Sequence, residues 1–150
     1  MFKRVFVLAS TCCLWTQVQA AELTSYSAIE DSVRDGSRIT IVVDWEKCES
    51  NYPNIKLDYI GSWTPEGIVV KKGSSVAAQG MTYTYGVSSV PGGELLGPVY
   101  QAYQYIISKD KGLEIINRFV DPVTHQEKIP TAKLHCEFST AFKVYGHEKK

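Results

Sequence analysis

Residues 134–144 read Leu-His-Cys-Glu-Phe-Ser-Thr-Ala-Phe-Lys-Val, and their pattern decides the fold class. The even positions hold the apolar residues Leu134, Cys136, Phe138, Phe142 and Val144, and the odd positions are mostly polar. Successive side chains of a β-strand point to opposite faces, so the alternation predicts one strand with a buried face. Cys136 belongs to the apolar set and is therefore expected to point into the core.

The N-terminus has the three parts of a secretory signal peptide. The first four residues end in two basic side chains, residues 5–15 form a predominantly apolar run, and Val-Gln-Ala at residues 18–20 suits cleavage. The apolar run is shorter than the roughly 20 residues that span a bilayer. We therefore predict a signal peptide over residues 1–20 and a single mature domain over residues 21–150 without a transmembrane segment. Such a chain is exported, and a periplasmic and an extracellular destination both remain open.

Export decides how the cysteines are interpreted. Cys12 and Cys13 leave with the signal peptide, and only Cys48 and Cys136 remain. Two cysteines in an oxidising compartment predict one disulfide. That Cys48–Cys136 bridge would close most of the mature domain.

The charge of the chain argues against a nucleic-acid partner. The precursor has 16 basic and 16 acidic residues, and cleavage removes Lys3 and Arg4. The mature domain is therefore slightly acidic, whereas nucleic-acid binders usually carry a basic excess or a basic stripe.

The first part of the mature chain predicts a short helix followed by a strand. Residues 24–35 are expected to be helical, because Ser27 and Glu30 have capping-box spacing and Gly36 suits a left-handed C-terminal cap. Residues 38–45 read as a strand, with apolar residues on one face. These are Ile39, Ile41, Val43 and Trp45.

The rest of the chain alternates short strands with turn residues. This spacing predicts an α+β, β-dominated fold in which the short N-terminal helix packs on an antiparallel meander of about 6–8 strands, shaped like a sandwich or a barrel. A long Gly/Pro-rich loop is expected over residues 86–98. The predicted strands cover residues 57–63, 68–71, 76–79, 81–85, 99–108 and 113–120.

Several strings, taken in order, resemble the VirK family of small exported bacterial proteins. They are Leu23-Thr24-Ser25-Tyr26, Asp35-Gly36, Ile39-Thr40-Ile41-Val42-Val43-Asp44 with Cys48, Gly97-Pro98-Val99-Tyr100 and Asp121-Pro122-Val123-Thr124. The resemblance spans roughly residues 23–145. It implies a single exported domain, virulence-associated in name, with no established biochemical activity and no catalytic residues to assign.

No catalytic residue, metal site or cofactor is predicted. The acidic residues around Cys48 lack the spacing and central glycine of an EF-hand. A thiolate–imidazole pair of Cys48 with His135 would compete with the disulfide for the same sulfur. Ligand spacing is also absent among the three histidines, which are His125, His135 and His147.

Tyrosines on neighbouring strands are the candidate ligand-binding residues. Tyr83 and Tyr85 precede the predicted Gly/Pro loop, and Tyr103 and Tyr105 follow it. Tyrosine combines a large apolar body with a polar tip, which suits a binding surface next to a loop. The alternative is that these rings form ordinary cross-strand pairs in the core.

The sequence thus favours a non-enzymatic binding or accessory protein that is exported. Its partner would be an unknown protein, a small molecule or an envelope component. The alternative is a small hydrolase or lyase whose residues converge only in three dimensions.

Overall fold

The computed structural model describes residues 20–51, 58–85 and 97–147. Residues 1–19 of the predicted signal peptide, most of the predicted 86–98 loop and residue 57 of a predicted strand lie outside these ranges. In chain order the elements are β1 (Ala21–Glu22), α1 (Tyr26–Arg34), β2 (Arg38–Asp44), a 3₁₀ turn (Trp45–Lys47), β3 (Glu49–Ser50), β4 (Ile60–Trp63), β5 (Ile68–Lys71), β6 (Ser75–Tyr85), β7 (Pro98–Ser108), β8 (Gly112–Val120), β9 (Ala132–Cys136) and β10 (Phe142–His147).

The strands form two antiparallel sheets that face each other across one main core. The small sheet has the order β1-β10-β2-β4, and the large sheet has the order β3-β9-β8-β7-β6-β5. This confirms the β-dominated α+β class, and two separate sheets in the described residues correspond to the sandwich-like form. The most deeply buried side chains include Ile29, Ile39, Ile41, Ile107, Leu113, Ile115, Cys136, Phe142 and Val144.

The apolar alternation of residues 134–144 belongs to two strands, so the prediction of one strand is wrong. β9 ends at Cys136 in the large sheet, and β10 begins at Phe142 in the small sheet. Between them the chain turns, with Ser139 at a φ of 62° and its N–H donating to the Phe142 carbonyl at 3.0 Å. Both strands face the same core from opposite sides, so the apolar residues of β9 and of β10 fall on even positions although the turn between them contains the exposed Thr140.

The C-terminal end of α1 is confirmed, whereas the residue that caps its N-terminus differs from the predicted one. Gly36 follows it at a φ of 76°, the left-handed conformation that glycine adopts without a Cβ clash. Ser25, rather than Ser27, is the N-cap, and its Oγ accepts from the Ala28 N–H at 3.2 Å. Glu30 is therefore not part of a capping box.

Glu30 instead joins the helix to the turn between β5 and β6. Its side chain is buried, and its two carboxylate oxygens accept from the Gly73 N–H at 3.2 and 3.0 Å. A buried carboxylate needs such donors because its water is lost. This contact holds α1 against the end of the sandwich, where the helix also packs on β2 and β10.

The Cys48–Cys136 disulfide is present, and the Cα atoms of the two residues are 4.4 Å apart. Cys48 follows the 3₁₀ turn that leaves the small sheet, and Cys136 ends β9 of the large sheet. The bridge therefore fixes the point at which the chain passes from one sheet to the other. It also anchors Trp45, which lies in the same turn.

Candidate functional site

An aromatic cleft lies at one open side of the sandwich, between β4 of the small sheet and β7 of the large sheet. The ring centroid of Trp63 is 4.6 Å from that of Tyr105 and 5.1 Å from that of Tyr103. Trp45 and Tyr59 form a second pair with a centroid separation of 5.5 Å. We call these five residues the aromatic cleft.

The cleft encloses a cavity of about 180 Å³. The cavity walls come from β2, the 3₁₀ turn, β4 and β7, so they depend on both sheets. The lining residues are Ile41, Val43, Trp45, Tyr59, Gly61, Ser62, Trp63 and Tyr105. Apart from the hydroxyl of Ser62, the side-chain polar atoms in this wall belong to aromatic residues.

Gly61 provides the space that the Trp45 indole occupies. A Cβ atom at position 61 would lie only 2.8 Å from Trp45 Nε1. The backbone N–H of Trp45 also donates to the Tyr59 carbonyl at 3.1 Å, which keeps the two residues together. Trp45 is thus positioned at the cavity by the packing of its ring on Gly61 and by its backbone hydrogen bond to Tyr59.

The Trp45 Nε1–H is buried and has no hydrogen-bond partner among the described residues. A buried N–H without an acceptor costs about 1–3 kcal/mol. The cavity wall therefore combines apolar side chains with the polar tips of its aromatic residues and the hydroxyl of Ser62.

Tyr105 has the most strongly shifted pKa in the cleft. Burial raises the pKa to about 12, and the neighbouring Tyr103 and Tyr59 contribute further in the same direction. The hydroxyl is therefore neutral throughout the physiological range. At neutral pH it can donate or accept a hydrogen bond without bringing charge into the cavity.

Alkaline titration tests this environment. The pKa of Tyr105 rises from 10.0 to about 12 in the fold, so its contribution to stability is complete below pH 10 and is lost as the pH rises through 12. We expect the melting temperature of the wild type to fall more steeply over this interval than that of Tyr105→Phe. Spectroscopic titration of the tyrosines should also lose its highest-pKa step in the variant; an unchanged titration would contradict the assignment.

The structure separates the predicted tyrosines instead of bringing them together. Tyr103 and Tyr105 point to the inner face of the large sheet and belong to the cleft. Tyr83 lies on the outer face, 57% exposed, with its ring centroid 5.5 Å from that of Tyr100. The side chain of Tyr85 is outside the described structure. A ligand-binding role for each of the four stays a prediction.

The β6–β7 register explains this separation. Gly80 lies opposite Tyr103, and Tyr83 lies opposite Tyr100. Residues directly opposite share a face, so the odd positions of β6 lie with the even positions of β7. β6 runs through Gly80 where two separate strands were predicted, because the pairing with β7 continues across this position. The Tyr103 ring lies where a Cβ at position 80 would be, so the close approach needs glycine.

Two open depressions lie on the outer face of the large sheet. One is lined by mixed side chains that include Met81, Gln104 and Arg118. The other contains a row formed by Glu49, His135 and Glu114 on adjacent strands. His135 is exposed, and no group of side chains among the described residues has the arrangement of a metal site. None of the described helices is long and apolar enough to cross a membrane.

Comparison with known proteins identifies the family. The family model for the VirK protein matches residues 22–125 of the chain. The chain belongs to the VirK family. A crystal structure of a VirK family protein from Legionella pneumophila is similar, with a TM-score of 0.72 and 24% identity over 85% of this chain and 100% of that chain. That likeness shows a shared fold. No curated protein matches the chain.

The part of the chain that matches the VirK family contains the whole aromatic cleft. All five cleft residues fall between residues 22 and 125, whereas Cys136 and β10 lie beyond this segment. The cleft residues therefore all come from the segment that matches the family model. β9 and β10 follow this segment in the chain and belong to the large and the small sheet, respectively.

Proposed function

We propose that this VirK family member is an exported, non-enzymatic binding protein whose aromatic cleft takes up one apolar ring. The observation that supports the proposal is the 180 Å³ cavity walled by Trp45, Tyr59, Trp63 and Tyr105. Aromatic walls give an entering ring a large apolar contact area, and edge-to-face or offset contacts add to it.

The size of the cavity limits the occupant. Pockets for drug-sized ligands measure about 300–1,000 Å³, whereas a cavity of about 150 Å³ accommodates benzene. A volume of about 180 Å³ therefore fits a single ring, either free or carried by a larger partner. The Tyr105 hydroxyl in the cavity wall, which is neutral at physiological pH, favours a ring that carries a hydrogen-bonding group.

The chemistry of the wall favours binding over catalysis. The titratable groups of the cavity lining are Tyr59 and Tyr105, and burial raises the pKa of both. General acid–base catalysis works best with a pKa near the operating pH. A hydrolase or lyase would need titratable groups whose pKa moves toward neutrality, whereas these two move away from it.

Phenol is a suitable probe, because it offers one ring and one acceptor oxygen. We expect phenol to raise the melting temperature of the mature protein in proportion to the fraction bound. Trp63→Ala and Tyr59→Ala should each remove the shift, whereas Tyr83→Ala, which changes an exposed ring on the outer face, should retain it. An equal loss of the shift in all three variants, or no shift in the wild type, would reject the cleft as the site.

Export is part of the same proposal. It is supported by the signal-peptide pattern of residues 1–20 and by the Cys48–Cys136 disulfide, which suits an oxidising compartment. Intact-mass measurement of protein from fractionated cells should give a mature chain that begins at Ala21. A dominant species retaining residues 1–20 would contradict export by cleavage, and fractionation would distinguish periplasmic from released protein.

A further inference from the structure

Among the residues that the structure describes, one edge of the large sheet is unpaired over much of its length. β5 pairs with residues 75–78 of β6, whereas β7 pairs with β6 over its full length. Within the described parts of the chain, residues 79–85 therefore have a strand partner on one side only. The outward backbone groups of an unpaired edge are a template for another strand.

This edge lacks the features that normally protect edges from pairing. Residues 79–85 read Gln-Gly-Met-Thr-Tyr-Thr-Tyr and contain neither a charged residue nor a proline. Natural edges are usually blocked by lysine, proline, bulges or very short strands. Here the strand is long, and Met81 and Tyr83 are 65% and 57% exposed on the outer face.

We propose that the open β6 edge pairs with the same edge of a second copy of this chain. Antiparallel pairing about Thr82 places Met81 of each copy opposite Tyr83 of the other. Two identical strands related by a two-fold axis are self-complementary when they carry no like charges. This uncharged strand meets that condition, and the two apolar cross-strand pairs it forms are favourable.

The length of the edge sets the strength of the dimer. Stable interfaces involve about 20–30 residues on each side. Residues 79–85 supply only a fraction of that number, so the dimer is weak and forms reversibly with concentration. This dimer is independent of the aromatic cleft, whose rings lie on the inner face.

Sedimentation equilibrium of the mature protein over a wide concentration range tests the proposal. The wild type should show a monomer–dimer equilibrium. Met81→Glu combined with Tyr83→Glu places like charges opposite each other at two points, and the dissociation constant should rise by about tenfold or more. Met81→Glu combined with Tyr83→Lys creates two opposite-charge pairs and should restore the dimer.

Val69→Glu is the matched control, because Val69 is 72% exposed on the neighbouring strand and lies beside the open segment rather than in it. It should dimerise like the wild type. A wild type that stays monomeric at the highest concentration would overturn the proposal and leave the edge to a different partner. A dimer that survives the two-glutamate variant would place the interface elsewhere, and failure of the glutamate–lysine variant to dimerise would reject this register.

Discussion

Replacing both Cys48 and Cys136 by serine is expected to lower the free energy of unfolding by about 4–5 kcal/mol. The bridge closes a loop with a sequence separation of 88, and the chain-entropy model gives long loops the largest effect. Domains of ordinary stability unfold with about 5–15 kcal/mol, so the loss removes a large share of the total. The disulfide ties the end of β9 to the segment in which the chain passes from the small sheet to the large one, so the Trp45 turn should loosen first.

Urea unfolding of the mature protein measures this loss, and a reductant provides the matched control. Reduced wild type should unfold at nearly the same urea concentration as the double serine variant, and the reductant should leave the variant unchanged. An oxidised wild type that is no more stable than the variant would contradict the structural role of the bridge.

Glu30→Ala is expected to lower the free energy of unfolding by about 2 kcal/mol. Its carboxylate accepts from the Gly73 N–H, and a hydrogen bond to a charged group contributes about 1.5–3 kcal/mol. Removal leaves that N–H without its acceptor and separates the helix from the β5–β6 turn. Urea unfolding measures the loss, and hydrogen exchange should show faster opening of α1.

Two variants separate this contact from a general effect on the helix. Glu30→Gln retains an acceptor oxygen and should lose less stability than the alanine variant. Asp31→Ala removes an exposed carboxylate whose ion pair with Arg34 is long, at 3.9 Å, and should cost little. If Asp31→Ala were as damaging as Glu30→Ala, the burial of Glu30 would not explain the loss.

The sequence predicts local structure where one strong periodicity governs it. The alternation of Ile39, Ile41 and Val43 marks the buried face of β2, and all three are buried. Gly73 lies in the predicted turn between β5 and β6 at a φ of 68°. These features depend on residues that are close in the sequence, so a sequence pattern can predict them.

Structural features that depend on contacts between distant segments cannot be predicted from local periodicity. Alternation over residues 134–144 cannot show that the chain changes sheets, because both strands face one core. The N-cap escapes for a similar reason: the capping-box spacing indicated Ser27, whereas Ser25 caps the helix and Glu30 is buried against a distant turn.

The candidate site was predicted only in part, for the same physical reason. Tyr103 and Tyr105 carry a recognisable signal, because they alternate on one strand next to a loop. Trp45, Tyr59 and Trp63 join them through the packing of the small sheet on the large one. The available signal was the aromatic character of those three residues, but their meeting point depends on the arrangement of both sheets.

The most direct test of the account is an NMR titration of the mature protein with phenol. Trp15 lies in the predicted signal peptide, so the indole N–H signals come from Trp45 and Trp63 alone. We expect both signals to shift as phenol enters the cleft, because both indoles line the cavity. If phenol leaves both indole signals unchanged, or shifts only the outer-face residues around Tyr83, the aromatic cleft is not the binding site.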